Sequence, residues 1–564
     1  REKLLKTQTW DLVARLGPKG FQTPMWDFNV MLLTLSADTA RDSHLFCGVD
    51  VSEGRNAQDK ANLLRGRASD DPAEGRAENL VLTLSQAQQI RNPDSRITFR
   101  QESHLPLVSQ FARAFQGLKT GDDGRLKRCY WEILGRQNSW PFFQSTTSTT
   151  LPWSGLHYRI DARGGEATWA RPQGMGAWLR SGVAVSQMNA LPVAIYSGAA
   201  FDSNVAPIIP NQSEHTLAFW CFCSDPGFRA TVRELDQKVA VANGTFEKLP
   251  FDLSHWQKVA AEKYPNGLPD PQSDDPTQWL FHGHPANTEL TSILQVAVGR
   301  LLGYQWPPEL DPEMRLADEA REWVKRCDEL KDFADEDGIV CLLATRGEDS
   351  AADRLRKLLA TAFGTEWSAS KEKELLAIAG DGKKSAASLN AWLRDKFFEE
   401  HCKLFQHRPF IWHIWDGNPS GFHCLVNAHR LTGNDGEGRR TLEAITYSYL
   451  GDWIDRQKAA QQEMVEGADA RLASAQDLQK QLEKILEGES PYDLFVRWKP
   501  LHEQAVGWEP DINDGVRLNI RPFMNAELCK GGKKGAGILR WKPNIKWKKD
   551  RGKEPQSLRS KEDF

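Results

Sequence analysis

The stretch "TWDLVARLGPKGFQTPMWDFNVMLLTLS", Thr9 to Ser36, decides the fold. Its two ends, "TWDLVARL" and "FNVMLLTL", are dense in β-formers and apolar residues, the texture of buried strands in an α/β sheet. Between them a turn broken by Gly17, Pro18 and Gly20 carries Phe21, a layout that suits an aromatic ring held out over a site. The preceding residues, "REKLLKTQTWDLV", read as the end of a helix running into a strand, so residues 1–50 are expected to be the last part of a larger catalytic domain.

Working outward, 564 residues exceed one hydrophobic core and imply several domains. A net charge of −4 argues against nucleic-acid binding over the whole surface and leaves room for a local basic patch. No apolar run approaches the ~20 residues of a membrane span, so a membrane is not an expected partner and the cytoplasm is the expected location. The nine cysteines form no disulfide framework, the closest pair being Cys221 and Cys223. His401, Cys402, His407, His413, His423, Cys424 and His429 crowd together, but without the paired C-x2-C spacing of structural zinc sites, and "FIWHIW" reads as a strand. No metal is expected there. "GDGKKSAAS", Gly380 to Ser388, lacks the spacing of a phosphate loop.

The segment 51–105 is polar and charged and reads as an insertion. Residues 106–263 have the texture of a mixed α+β domain, in which "TLAFWCFCSDPGFRATVREL", Thr216 to Leu235, reads as a helix, a turn and a second helix capped by Ser224 or Asp225. "NGTFEKLPFDL" follows as a turn and a short extended segment. Residues 264–310, rich in Pro, Asp and Gly, read as linker or cover. Residues 311–490 are mostly helical, with one helix opened by Ser350 and closed by Gly364, and an arm at 463–488 whose apolar residues recur at helical spacing. The final segment, 491–564, is basic and aromatic.

The opening hairpin resembles the last strands of adenine-N6 DNA methyltransferases in which the catalytic domain precedes target recognition. In that family an aromatic residue of this hairpin stacks on the flipped-out adenine, and Phe21 occupies the matching place. "LAFWCFCSDPGFRATVREL" and "NGTFEKLPFDL" are similar to target-recognition domains of type I specificity subunits and fused type II enzymes. "RPFIWHIWDG", "SPYDLFVRWKPLHEQAVGWEPDINDGVRLNIRPFM" and "LRWKPNIKWKKDRGKEP" resemble the C-terminal region of large phage-defence adenine methyltransferases of the BREX and DISARM kind. The resemblance implies a multidomain chain: the C-terminal edge of a Rossmann-like methyltransferase sheet, a mixed α+β target-recognition domain and a largely helical C-terminal module. It further implies S-adenosylmethionine as cofactor, double-stranded DNA as substrate, and other defence subunits as further partners.

One family motif is absent. No Asn-Pro-Pro-aromatic sequence or cofactor turn occurs, so the cofactor site is expected upstream and the chain alone is expected not to methylate. The DNA contacts are sought elsewhere. Between Lys530 and Lys553 ten Lys/Arg stand against one acid, Asp550, with two tryptophans interleaved. Arg540, Trp541, Lys542, Lys546, Trp547, Lys548, Lys549 and Arg551 are the candidates for phosphate and stacking contacts. Arg171, Gln173, Arg180, Gln187 and Asn189 have the side chains that read guanine and adenine edges in a major groove. Two other readings stay open: a non-catalytic specificity subunit serving a separate methyltransferase, and a fused nuclease-methyltransferase.

Overall fold

Thr9–Gly17 (β1) and Val30–Ser36 (β2) form the antiparallel pair read from the sequence, with register shifts between Trp10 and Leu12 and between Arg15 and Gly17. In the computed structural model, the residues described are 2–22, 30–66, 81–92, 95, 97–99, 105–121, 123–133, 140–162, 165, 169–379, 386–406, 408–431 and 437–487. They form a mixed α/β protein of two compact units, one made of Arg1–Lys119, Phe143–Gly155 and Arg171–Leu268, the other of the rest.

In the first unit β1 also pairs in parallel with Leu45–Asp50 (β3), and Val81–Ser85 (β4) adds antiparallel to β3. The order is β2-β1-β3-β4. Trp10, Val13 and Phe46 are buried under it with Leu5 of α1 (Glu2–Thr7), and Leu33, Leu35 and Leu84 pack alongside. Each such burial contributes ~1.5–3 kcal/mol. The Gln86 amide bonds the Leu5 and Gln8 carbonyls and accepts the Trp10 N–H, fixing the helix-to-strand junction. Segment 51–105, read as an insertion, supplies α2 (Ala57–Leu64), β4 and α3 (Gln86–Arg91). The apolar run "LVLTL" within it is long enough for a strand but too short to stand out from its charged surroundings.

A second sheet of the same unit runs β7-β6-β8-β5, built from Ala112–Ala114 (β5), Gly182–Ser186 (β6), Val193–Tyr196 (β7) and Val205–Pro210 (β8), all antiparallel. Every residue of β6 and β8 is buried, because both faces of the sheet are covered. On one face lies the core shared with Thr216–Cys223 (α4), Phe228–Leu235 (α5) and Leu253–Lys263 (α6); on the other, Ala177, Tyr196 and Phe201 pack with Trp178. The helix pair α4 and α5 follows the sequence reading, but the residue before α5 is Gly227, whose N–H Asp225 accepts at 2.8 Å. "NGTFEKLPFDL" opens with one helical turn, Asn243–Phe246, where a turn was read, and its extended part follows, with Pro250 bridged to Leu107.

In the second unit the reading of 264–310 as linker or cover fails for one stretch, 293–301. Ile293–Leu301 (α7) has every residue buried, since "ILQVAVGRL" is apolar on nearly all sides. Its two polar exceptions have partners: Gln295 donates to the Phe397 carbonyl, and Arg300 pairs with Glu309 at 2.6 Å. Ala351–Phe363 (α8) starts at Ser350, which accepts the Asp353 N–H, and stops at Gly364 with φ of 54°. Ile339–Cys341 (β9), Ile411–Trp415 (β10) and His423–Asn427 (β11) make a sheet ordered β9-β11-β10. A π-helical turn, Ala444–Tyr449, leads into α9 (Leu450–Gln462), against which α10 (Ala468–Glu487) packs through Leu472, Ala475, Leu478 and Leu482. Among the described residues no helix is long and apolar enough to cross a membrane.

Candidate nucleic-acid interface

Ligands of open sheets gather beyond the carboxyl ends of parallel strands. For β1 and β3 that end is occupied by Lys60 of α2, 1% exposed, whose Nζ donates to the carbonyls of Leu16 (2.7 Å), Ser52 (2.9 Å) and Val51 (3.4 Å). Burial pushes its pKa down, and nearby Asp50 opposes that shift. Directly beyond, Gly17 has φ of 66°, and a Cβ there would lie 2.4 Å from Gln237 Oε1. Only glycine fits. The chain then turns through Lys19, φ 58°, to Phe21, which is 51% exposed. Phe21 therefore stands on the surface at the carboxyl ends of the parallel pair; Trp26 and Phe28 lie outside the described residues.

Two bonds join this end to the C-terminal end of α5 and the residues after it. Gln237 Nε2 donates to Ser52 Oγ at 2.9 Å, and Arg15 Nη2 donates to the Glu234 carbonyl at 2.7 Å. From the same segment Arg233 reaches the Asn189 carbonyl at 3.4 Å. The Phe21 turn, the 236–240 turn and the tip joining β6 to β7 thus share one side of the unit.

The residues proposed to read bases fare differently. Asn189 is exposed at that tip, in the left-handed region at φ 57°, which asparagine tolerates better than most residues. Gln187 corrects its reading: it is 5% exposed, and its amide donates to the Val241 carbonyl at 2.8 Å, so it holds the tip from beneath and cannot meet a base edge. Gln173 is half-buried and donates to the Gly117 carbonyl at 3.1 Å, while Arg171, exposed, bridges Lys119 through its backbone. Arg180 is exposed, with Nη2 on the Pro210 carbonyl at 3.1 Å. It precedes β6 whereas Asn189 follows it, so the two sit at opposite ends of a strand of about 16 Å. The sequence reading grouped them; the fold separates them. Arg540, Trp541, Lys542, Lys546, Trp547, Lys548, Lys549 and Arg551 lie outside the described residues.

Sequence reasoning missed Lys60, Arg233, Asp236 and the exposed Met188 and Val239. Only the tip's Asn189 carried a local signal, as a turn-forming residue next to a strand.

In the second unit the histidines crowded in sequence are buried and bonded: His413 Nε2 to His423 Nδ1 at 3.0 Å, His401 Nδ1 to Gln295 Oε1 at 3.2 Å, His429 Nε2 to the Trp131 carbonyl at 2.9 Å. Burial pushes them down to about 3 for His401 and His413 and about 4 for His423 and His429, so all are neutral at pH 7. His407 lies outside the described residues. Among those residues no group of three or more His, Cys, Asp or Glu is placed to hold a metal ion. This unit also has a cavity of about 550 Å³ lined in part by Asp335, Asp337, Arg346, Glu348, Arg354 and Tyr449. Tyr449 Oη donates between Asp337 (3.0 Å) and Glu348 (3.2 Å), and Arg354 pairs with Asp335 at 2.7 Å.

No family model matches the chain. The sequence is similar to the adenine-specific methyltransferase BrxX of Escherichia coli O9:H4 (strain HS), with 27% identity over 204 residues. That match covers 34% of this chain and 16% of the relative, so the chain spans a small part of that protein's length.

Proposed function

We propose that this chain is the DNA-recognition part of an adenine-N6 DNA methyltransferase of phage defence, with Phe21 stacking on an adenine turned out of the duplex. The observation that carries the reading is the gathering of three turns at the carboxyl ends of β1 and β3: the exposed Phe21, the exposed Asn189 and the 236–240 turn, joined through Gln237, Arg15 and Arg233. A base leaving the duplex loses stacking worth a few kcal/mol, and a ring beside the recognition tip returns part of it. The similarity to an adenine-specific methyltransferase supports the same direction.

The described residues do not fit S-adenosylmethionine. At the carboxyl ends of β1 and β3, where a cofactor would approach, the buried Lys60 side chain fills the space and donates to the Leu16 and Ser52 carbonyls. In this reading the cofactor and the Asn-Pro-Pro-aromatic motif come from residues other than these 564, covalently joined or supplied by a separate subunit, and no step of methyl transfer is assigned to this chain. What the chain contributes is orientation: Asn189 toward the duplex, Phe21 toward the displaced base.

The test measures duplex binding and label transfer from S-adenosylmethionine. The expected outcome is site-preferring binding by the chain alone with no label transfer, and transfer after a catalytic partner is joined to it. Absence of duplex binding at low salt would refute the reading.

A further inference from the structure

We propose that the tip Met188–Ala190 and the turn Lys238–Ala240 form one rigid wedge that enters duplex DNA at the opened base pair, with Met188 and Val239 as the inserted side chains and Arg233 as the residue that positions them. The proposal rests on the reading of this surface as a DNA interface.

Single exposed apolar residues are ordinary on protein surfaces. Here two stand on neighbouring turns, Met188 at 38% and Val239 at 50% exposure, flanked by exposed Ala190 and Ala240. Both turns are built to hold still. Asp236, 5% exposed, accepts the N–H of Lys238 at 3.0 Å with one carboxylate oxygen, and with the other accepts the Ala242 N–H at 3.2 Å and the Thr245 hydroxyl at 3.1 Å. Gln187 and Val241 bond in both directions, backbone N–H to carbonyl at 2.9 Å and side-chain amide to carbonyl at 2.8 Å, which fastens the tip to the turn. Arg233 completes the lock. Its guanidinium donates to the carbonyls of Lys238 and Asp236 through Nη1, and to Val239 and Asn189 through Nη2. One side chain thus ties both turns together, and it is spent on carbonyls, leaving it poorly placed to neutralise a phosphate. Burial lowering its pKa agrees with that inward role.

A pair of rigid apolar tips suits a gap between bases. Proteins that open or kink DNA insert residues such as methionine, leucine or isoleucine between base steps, recovering stacking that the opening removes. Met188 is unbranched and polarisable, Val239 compact, and the exposed Asn189 next to Met188 offers an amide to a base edge. The Phe21 turn, joined to this element through Gln237 and Ser52, stands on the side where the displaced base would be received.

The experiment uses the full chain and duplexes carrying 2-aminopurine at successive adenine positions, whose emission rises when that base unstacks. The wild type should raise emission at one position. Met188→Ala/Val239→Ala should bind with the same dependence on salt but leave emission near that of free duplex, whereas Met188→Leu/Val239→Ile should keep the wild-type signal. Arg233→Gln should lower both the emission and the preference for the cognate duplex, with a native circular-dichroism spectrum showing that the chain is folded at the assay temperature. A wild-type rise that survives in the double alanine variant overturns the wedge, as does binding by the wild type without any rise. A wild type that binds no duplex overturns the interface reading itself.

Discussion

Lys60→Met tests whether the carboxyl ends of β1 and β3 are organised by a buried ammonium. The lysine donates to three carbonyls; that of Val51 keeps the Gly54 N–H at 3.2 Å, while those of Leu16 and Ser52 lose a charged donor held at 2.7 and 2.9 Å. Hydrogen bonds to charged groups contribute ~1.5–3 kcal/mol each, so the gross loss is about 3–6 kcal/mol. Releasing the ammonium from a site where burial already disfavours it returns part of that, and a net loss of about 2–4 kcal/mol is expected. Urea unfolding followed by tryptophan fluorescence measures the total, and hydrogen exchange at Val51, Ser52 and Gly54 locates it. Exchange at these amides should accelerate at least tenfold, a tenfold change being about 1.4 kcal/mol. Unchanged exchange together with a stability within roughly 0.5 kcal/mol of wild type would refute the reasoning.

Phe21→Ala, in the chain joined to its catalytic partner, should slow methylation on the order of tenfold while Phe21→Trp retains most of it, since a stacked ring contributes ~1–3 kcal/mol; equal rates from both would remove the stacking role. Burial and the neighbouring Asp335 push the Asp337 carboxyl up to about 7, so the folded protein holds a proton that the unfolded chain releases near pH 4. Stability should therefore fall as pH rises from about 4 to 7, and Asp337→Asn should flatten that fall, read from thermal midpoints at pH 5 and pH 8. Asp335 shifts downward and acts below that window, so it does not reverse the sign. Replacing Lys546, Lys548, Lys549 and Arg551 with glutamine should weaken binding to cognate and scrambled duplexes alike and reduce the salt slope by about one for each phosphate no longer neutralised, checked by titration at several salt concentrations.

The hairpin, the α4–α5 pair and the helix from Ser350 to Gly364 were legible because each is signalled locally, by apolar runs, by turn residues or by caps. β4 and α7 were not, since their signal is diluted by charged or proline-rich neighbours and their burial comes from distant partners. At the candidate site the exposed Phe21 and Asn189 could be named from the sequence, but Gln187 could not be told from a surface glutamine, because its partner Val241 lies 54 positions away. Lys60 was illegible for the same reason: one lysine on a short polar helix gives no hint that its head group will close two strand ends 44 and 8 residues distant.

The π-helical turn at Ala444–Tyr449 bears on the history of the chain. Such a turn is an α-helix lengthened by one residue, and in α-helical geometry one added residue rotates the downstream helix by about 100°. Tyr449, the last residue of the turn, meets Asp337 and Glu348 in this lengthened register. Relatives that never acquired the extra residue should align with a one-position gap between 444 and 449, and in them selection on an aromatic hydroxyl at this point of the helix, and on the two acids opposite, should be relaxed together.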